Sequence, residues 1–161
     1  MIKLKAPVVT LRPVDRFNWK ECAALSVRND QSSMVGPNVR SLAEAHVRPE
    51  SSPRAVYTTD GQMVGFVMYL RDLADGHYYI HRIMIDHRRQ RAGYGYAALA
   101  AAIGEISRQP DYQNPVHLLF LLENADAERF YRRFGFEDTG RIIVDEKLFT
   151  IRSNLITDYG S

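Results

Sequence analysis

The chain has one cysteine, no long apolar run and almost no excess of either charge, and each shortage removes a class of protein. A single thiol, Cys22, cannot close an internal disulfide or build a cysteine-based zinc site. It lies among apolar residues, so a buried core thiol is expected rather than a nucleophile. No apolar segment approaches the roughly 20 residues that span a bilayer. Met1-Ile2-Lys3-Leu4-Lys5 leads straight to Pro7, so no secretory leader is expected and the cytoplasm is the default location. Lys and Arg number 21 against 19 Asp and Glu, a net charge of +2, which argues for neither a nucleic-acid partner nor a membrane partner. Internal repeats and low-complexity tracts are absent too. What is present suits one compact domain: 161 residues, 45% hydrophobic, enough for a core without disulfide or metal.

Hydrophobic periodicity and turn chemistry divide the chain. Residues 8–12 read as a strand closed by Pro13. Asp15 then caps a helix running to about Val27, with Trp19, Cys22, Ala23 and Ser26 on one face. After an irregular stretch, Ser41 is expected to cap a short helix, Leu42 to Val47, with Glu44 completing a capping box. Arg54 to Thr59 and Gln62 to Leu70 flank Asp60-Gly61, a favoured hairpin turn. A strong strand follows from His77 to Asp86, placing Tyr79, His81 and Ile83 on one face. Beyond residues 87–95 an alanine-rich helix buries Tyr96, Leu99, Ile103 and Ile106. Pro115 to Leu122 is a strand, Asn124 to Phe134 a helix, and Ile142 to Leu155 holds the last strand. The order β-α-α-β-β-β-α-β-α-β describes a mixed α/β sheet, antiparallel first and with a crossover unit later.

The most informative segment runs from Ile83 to Tyr96. A strand ends, glycines follow and a helix begins. The first N–H groups of that helix lack intrahelical partners, and its dipole favours negative charge there. Glycines let successive N–H groups curl toward one anion while arginines add positive charge, so the loop suits a pyrophosphate. Gly93-Tyr94-Gly95-Tyr96-Ala97-Ala98 also fits the dinucleotide fingerprint, with Glu123 as the ribose acid. That reading fails: Gly93 comes seven positions after Asp86, a long loop, and too little chain remains for further βαβ units.

Gln90, Gly93 and Gly95 instead satisfy Gln/Arg-x-x-Gly-x-Gly/Ala, and here the chain resembles the GNAT superfamily of acyl-CoA N-acyltransferases. Residues 124–136 carry a second likeness: Asn124, Ala127, Tyr131, Gly135 and Phe136 fill Asn-x-x-Ala-x-x-x-Tyr-x-x-x-Gly-Phe. The resemblance implies the GNAT fold, a mixed sheet of about six to seven strands flanked by about four helices. It implies acetyl-CoA as acetyl donor, with no metal. It also implies binding by Gln90, Arg91, Ala92, Gly93, Tyr94, Gly95 and Tyr96 of the loop. Backbone around Met84 and Ile85 would hold the pantetheine arm and thioester, Asn124 would bind CoA, and Arg133 would reach a CoA phosphate. GNAT relatives are often dimers, so a homodimer is an expectation of the same kind.

Acetylating an amine needs a proton acceptor, because an alkyl amine with a pKa near 10.4 is ammonium at neutral pH. It also needs an acid for the departing sulfur, and a phenol keeps its proton at neutral pH. The resemblance gives that acid role to Tyr131. His81 occupies the strand position where many GNAT enzymes place a glutamate base, and imidazole suits proton acceptance at neutral pH. Asp30 and Glu146 are carboxylate alternatives.

Further likeness to the bacterial diamine and polyamine N-acetyltransferase branch appears in Leu11-Arg12-Pro13, Asn18-Trp19 and Gln31-x-x-Met34-Val35-x-Pro37-Asn38. The chain departs from that branch at Asp30, where Glu is usual, and at His81, where Trp is common. A polyamine is a string of cations, so Asp30, Gln31 and Glu146 are the acceptor-binding candidates. An aminoglycoside-type antibiotic, a protein α-amine, or a non-catalytic acyl-CoA sensor are the other readings.

Overall fold

The computed structural model describes residues 6–32 and 36–155. Residues 1–5, and Met34 and Val35 of the acceptor-side motif, lie outside that description. Seven strands form one sheet: β1 (Val9–Pro13), β2 (Ser51–Thr58), β3 (Met63–Arg71), β4 (Tyr78–Ile85), β5 (Val116–Leu121), β6 (Glu137–Ile143) and β7 (Glu146–Ile151). Their order is β1-β2-β3-β4-β5-β7-β6. Only β4 and β5 run parallel. Four α-helices cover the sheet: α1 (Trp19–Ala24), α2 (Asn38–Val47), α3 (Tyr94–Ser107) and α4 (Ala125–Phe134).

Each face has its own core. On one, Val56, Val67, Tyr69, Ile80, Leu118 and Phe149 meet Leu99, Ile103 and Ile106 of α3 and Tyr131 and Phe134 of α4. On the other, Ala55, Tyr57, Phe66, Met68 and Met84 meet Cys22 and Leu25 beside α1. Alternation along the strands sends neighbouring side chains to opposite cores. Cys22 is fully buried, and burial pushes its thiol up to about 12, so it is an inert core residue.

Four expectations need correction. The first helix is short, because Asn18 rather than Asp15 stands before it and the chain turns extended at Leu25. Asp15 instead folds back, accepting the N–H of Phe17 at 2.7 Å. Trp19, assigned to the buried face, is 43% exposed. The second helix starts at Asn38 behind Pro37, so Ser41 lies buried inside it and caps nothing. The final segment is a hairpin of two strands rather than one. Every residue of β6 is exposed, so it carries no alternation to read.

The fourth correction matters most for the site. Met68 pairs with Arg82 and Tyr69 with Ile80, so His81 is an extra residue in β4, a β-bulge. The bulge reverses the alternation. Ile83 therefore joins Ile80 against the α3 core, while His81 turns to the α2 face.

Gly65 permits the close approach of β3 and β4 at this end. A Cβ there would stand 2.6 Å from the Met84 carbonyl oxygen and 2.7 Å from Ile85 Cδ1. A backbone oxygen cannot move aside as a side chain can. Gly65→Ala should therefore destabilise the fold by about 1–3 kcal/mol, read as a lower urea midpoint at unchanged m-value.

Candidate functional site

The site begins where strand pairing ends. β4 and β5 are joined only through Tyr79–His117 and Ile80–Leu118. From there β5 stays with β7, through to Leu121 and Glu146, while β4 stays with β3 to Ile85. The strands part, and main-chain groups of residues 81–85 that point toward β5 have no strand partner. The Ile85 carbonyl is already engaged, accepting from Gln90 Nε2 at 3.0 Å.

The loop after β4 is held from beneath by Asp86, which is 1% exposed. Its carboxylate accepts from Ser26 N at 3.2 Å, Arg88 N at 3.1 Å and Arg88 Nε at 2.8 Å. Burial opposes ionisation, but the Arg88 guanidinium and the two backbone donors outweigh it and hold the carboxyl below its ordinary range. Gln90 then ties the loop to the segment before α2 by donating to Gln31 Oε1 at 3.0 Å. Gly93 precedes α3 at φ 86°, in the left-handed region, and offers no side chain to cap the helix. The first intrahelical bond runs from Ala97 N to the Gly93 carbonyl. The donors ahead of it are those an anion takes up at a helix N-terminus. Among the described residues Arg91 is exposed and has no ion-pair partner. Gly95 packs against Ile85 and Phe130, and the Tyr96 ring packs on Phe134, so these residues also seat α3 on the sheet and α4. A glycine-led, uncapped helix start flanked by arginine fits a pyrophosphate-bearing co-substrate.

Tyr131 lies in α4, within the core on that face of the sheet. Its ring contacts Phe120, Phe130 and Phe136, and no group among the described residues bonds its hydroxyl. Burial alone pushes this phenol up to about 12, so it is fully protonated near neutrality. Asn124 caps α4, its Oδ1 accepting from Ala127 N at 3.1 Å. Only its amide NH₂ is left to reach a ligand. Arg133 is exposed on the same helix.

The opposite face holds a cavity of about 140 Å³ lined by Tyr79, Ile80, His81, Arg82, Leu119 and Glu146. The structure thus brings His81 and Glu146 together. It does not bring Asp30 to them: that carboxylate is 72% exposed and pairs with Arg28 at 3.3 Å. Gln31 belongs to the loop side, through Gln90. Glu146 has no ion-pair partner among the described residues. Burial and neighbouring Asp145 push its carboxyl up, against the pull of Arg82. His81 is pushed down, by burial first and then by Arg82, so its ring is neutral near pH 7. A larger cavity of about 520 Å³ lies by α1, lined by Arg12, Asp15, Phe17, Glu21 and Tyr57 among others. It shares no residue with the loop motif or the α4 motif, but it takes in Arg12, Pro13 and Asn18.

Two site residues escaped the sequence reading. Glu44 reaches His81 Nε2 at 2.9 Å from α2, and Arg82 stands 3.9 Å from the same carboxylate. The three-residue spacing from Ser41 pointed to helix capping, and nothing along the chain relates residue 44 to residue 81.

The family model for the acetyltransferase (GNAT) family matches residues 17–136. A curated relative, spermine/spermidine N(1)-acetyltransferase of Bacillus subtilis, is 27% identical over 140 residues, covering 83% of this chain and 91% of the relative. Spermidine N-acetyltransferase from Vibrio cholerae, solved with CoA and spermine, superposes with a TM-score of 0.71 at 17% identity, covering 93% of this chain and 98% of that one. A nucleotide-linked sugar GNAT in its apo form also gives a TM-score of 0.71, at 11% identity, covering 98% and 93%. Equal likeness to enzymes named for different substrates means that the fold does not select the acceptor. The two motifs, the parted strands and the family match agree, and the chain belongs to the GNAT family as an acetyl-CoA-dependent N-acetyltransferase.

Proposed function

We propose that the enzyme acetylates a primary amine at the end of a slender alkyl diamine or polyamine. The observation that carries this reading is Glu146: an unpaired, part-buried carboxylate on the wall of the cavity that holds His81. Such a group lacks the counter-charge that an ammonium supplies, and a charged hydrogen bond of this kind contributes roughly 1.5–3 kcal/mol. The volume supports a thin acceptor. At about 140 Å³ the cavity is small, which favours a slender acceptor over a branched one. The name of the Bacillus subtilis relative favours the same class. Asp30, exposed and paired with Arg28, contributes less than Glu146 because solvent screens it.

In this reading the loop from Gln90 to Tyr96 and the start of α3 hold the CoA pyrophosphate. Arg91 and Arg133 supply mobile charge, Asn124 supplies its amide NH₂, and the free edge of β4 around Met84 orients the thioester. His81 takes one proton from the acceptor's ammonium, and the freed nitrogen lone pair forms the new C–N bond. As the C–S bond breaks, Tyr131 gives its phenolic proton to sulfur. Solvent reprotonates Tyr131, and the excess proton leaves the new amide nitrogen.

Release of CoA from acetyl-CoA in the presence of putrescine, spermidine, spermine, an aminoglycoside and a peptide amine tests the acceptor. Saturable turnover confined to the polyamines is expected, with Glu146→Gln raising the amine KM by about 10-fold or more. Turnover with the aminoglycoside or peptide alone overturns the pocket assignment. Tyr131→Phe should lower kcat by about 10²-fold or more while the acetyl-CoA KM stays within about twofold. Unchanged turnover removes the acid role. Gly93→Ala should weaken acetyl-CoA binding by about 10-fold in calorimetry, because the residue is left-handed and a Cβ would stand 3.0 Å from Pro7 Cδ. In the kcat–pH profile, activity should rise as His81 loses its proton, with a midpoint below the ordinary imidazole value of about 6.5.

A further inference from the structure

We propose that Glu44 is a positioning residue for proton abstraction: it fixes the His81 imidazole in the tautomer that leaves Nδ1 free to take the acceptor's proton. The inference rests on His81 being the base and adds a residue from a separate element.

The chemistry of the contact sets its polarity. Glu44 Oε1 lies 2.9 Å from His81 Nε2. An ionised carboxylate has no proton to donate, so Nε2 carries the hydrogen, and a neutral ring then keeps its lone pair on Nδ1. Both side chains are about three-quarters buried, at 26% and 24% exposure, so the bond is shielded from competing water. Glu44 is itself held from two sides. Arg48, the residue that caps the end of α2, donates to Oε1 at 3.1 Å, and Arg82 stands 3.9 Å from Oε2. Burial disfavours the carboxylate, but His81, Arg48 and Arg82 together outweigh it and keep Glu44 ionised.

No group among the described residues bonds His81 Nδ1, and His81 lines the cavity that also holds Glu146. The bulge supplies the orientation: one extra residue in β4 turns this ring out of the sheet's alternation toward α2. The charged or titratable groups facing the ring are Glu44 and Arg48 from α2, Arg82 and Tyr79 from its own strand, and Glu146 from β7. Arg82 and Arg48 disfavour a proton on the ring and Glu44 favours it. Removing the Glu44 charge must therefore move the His81 titration to lower pH.

Two measurements decide. In ¹⁵N NMR of the unmodified enzyme above the His81 titration, Nε2 should give the protonated and Nδ1 the unprotonated shift. The reverse assignment overturns the proposal without any variant. In kinetics, Glu44→Gln should lower kcat by about 10-fold or more, shift the acidic limb of the kcat–pH profile to lower pH, and leave the acetyl-CoA KM unchanged. Glu44→Asp, which keeps the charge, should recover the limb's position in part. Introduced into His81→Ala, Glu44→Gln should cost nothing more, because its effect passes through the ring. A full, independent loss in that background, or an unmoved limb in the single variant, refutes the positioning role. An unmoved limb in His81→Ala would instead refute the base itself, and the NMR assignment would still report whether Glu44 holds the ring.

Discussion

Everything in this enzyme depends on two strands that stop pairing. A sheet gains a ladder bond with each residue added, and an open interior edge is ordinarily a loss. Here β4 and β5 share two residue pairs and then follow different neighbours, β3 and β7. The parted strands leave main-chain groups along β4 without a strand partner. Tyr131 stands on the α4 face, among Phe120, Phe130 and Phe136. His81, Arg82 and Glu146 line the cavity on the other.

The two ends of the proposed site differ in chemistry. The loop end offers backbone N–H groups whose direction is set by Gly93, by Asp86 beneath and by Gln90 at the side, which suits a polyanion. The proposed acceptor end offers side chains of half-buried strands, among them the Glu146 carboxylate, which suits a cation. The Gln90–Gln31 bond joins the phosphate loop to the chain leading into α2, the helix that carries Glu44. Donor loop and acceptor wall are thus neighbours in one hydrogen-bonded arrangement.

The parts legible in the sequence were those whose signal is local. The hairpin at Asp60-Gly61, the α3 stripe of Leu99, Ile103 and Ile106 and the glycine-led helix start all act within a few residues of chain. What could not be read depends on a partner. A bulge is an extra residue only relative to the opposite strand, so the turn of His81 away from Ile83 is invisible until β3 is in place. β6 is held by pairing with β7 rather than by burial, so its run of Glu137, Asp138, Thr139, Gly140 and Arg141 looks like a loop. Glu44 had a good local explanation, a capping box, and a better distant one.

The proposed acid and base, Tyr131 and His81, lie on opposite faces of the sheet, and that bears on the enzyme's surroundings. The acceptor arrives as a cation and leaves, at that nitrogen, as a neutral amide, while sulfur leaves carrying a hydrogen. The balance of the reaction is therefore one hydronium equivalent liberated in every cycle. In the proposed mechanism the hydrogen taken up at His81 and the one supplied by Tyr131 lie on different sides of the sheet, so neither replaces the other internally. Each catalytic group must exchange with bulk water separately, so turnover acidifies an unbuffered solution in direct proportion to the acetyl groups moved.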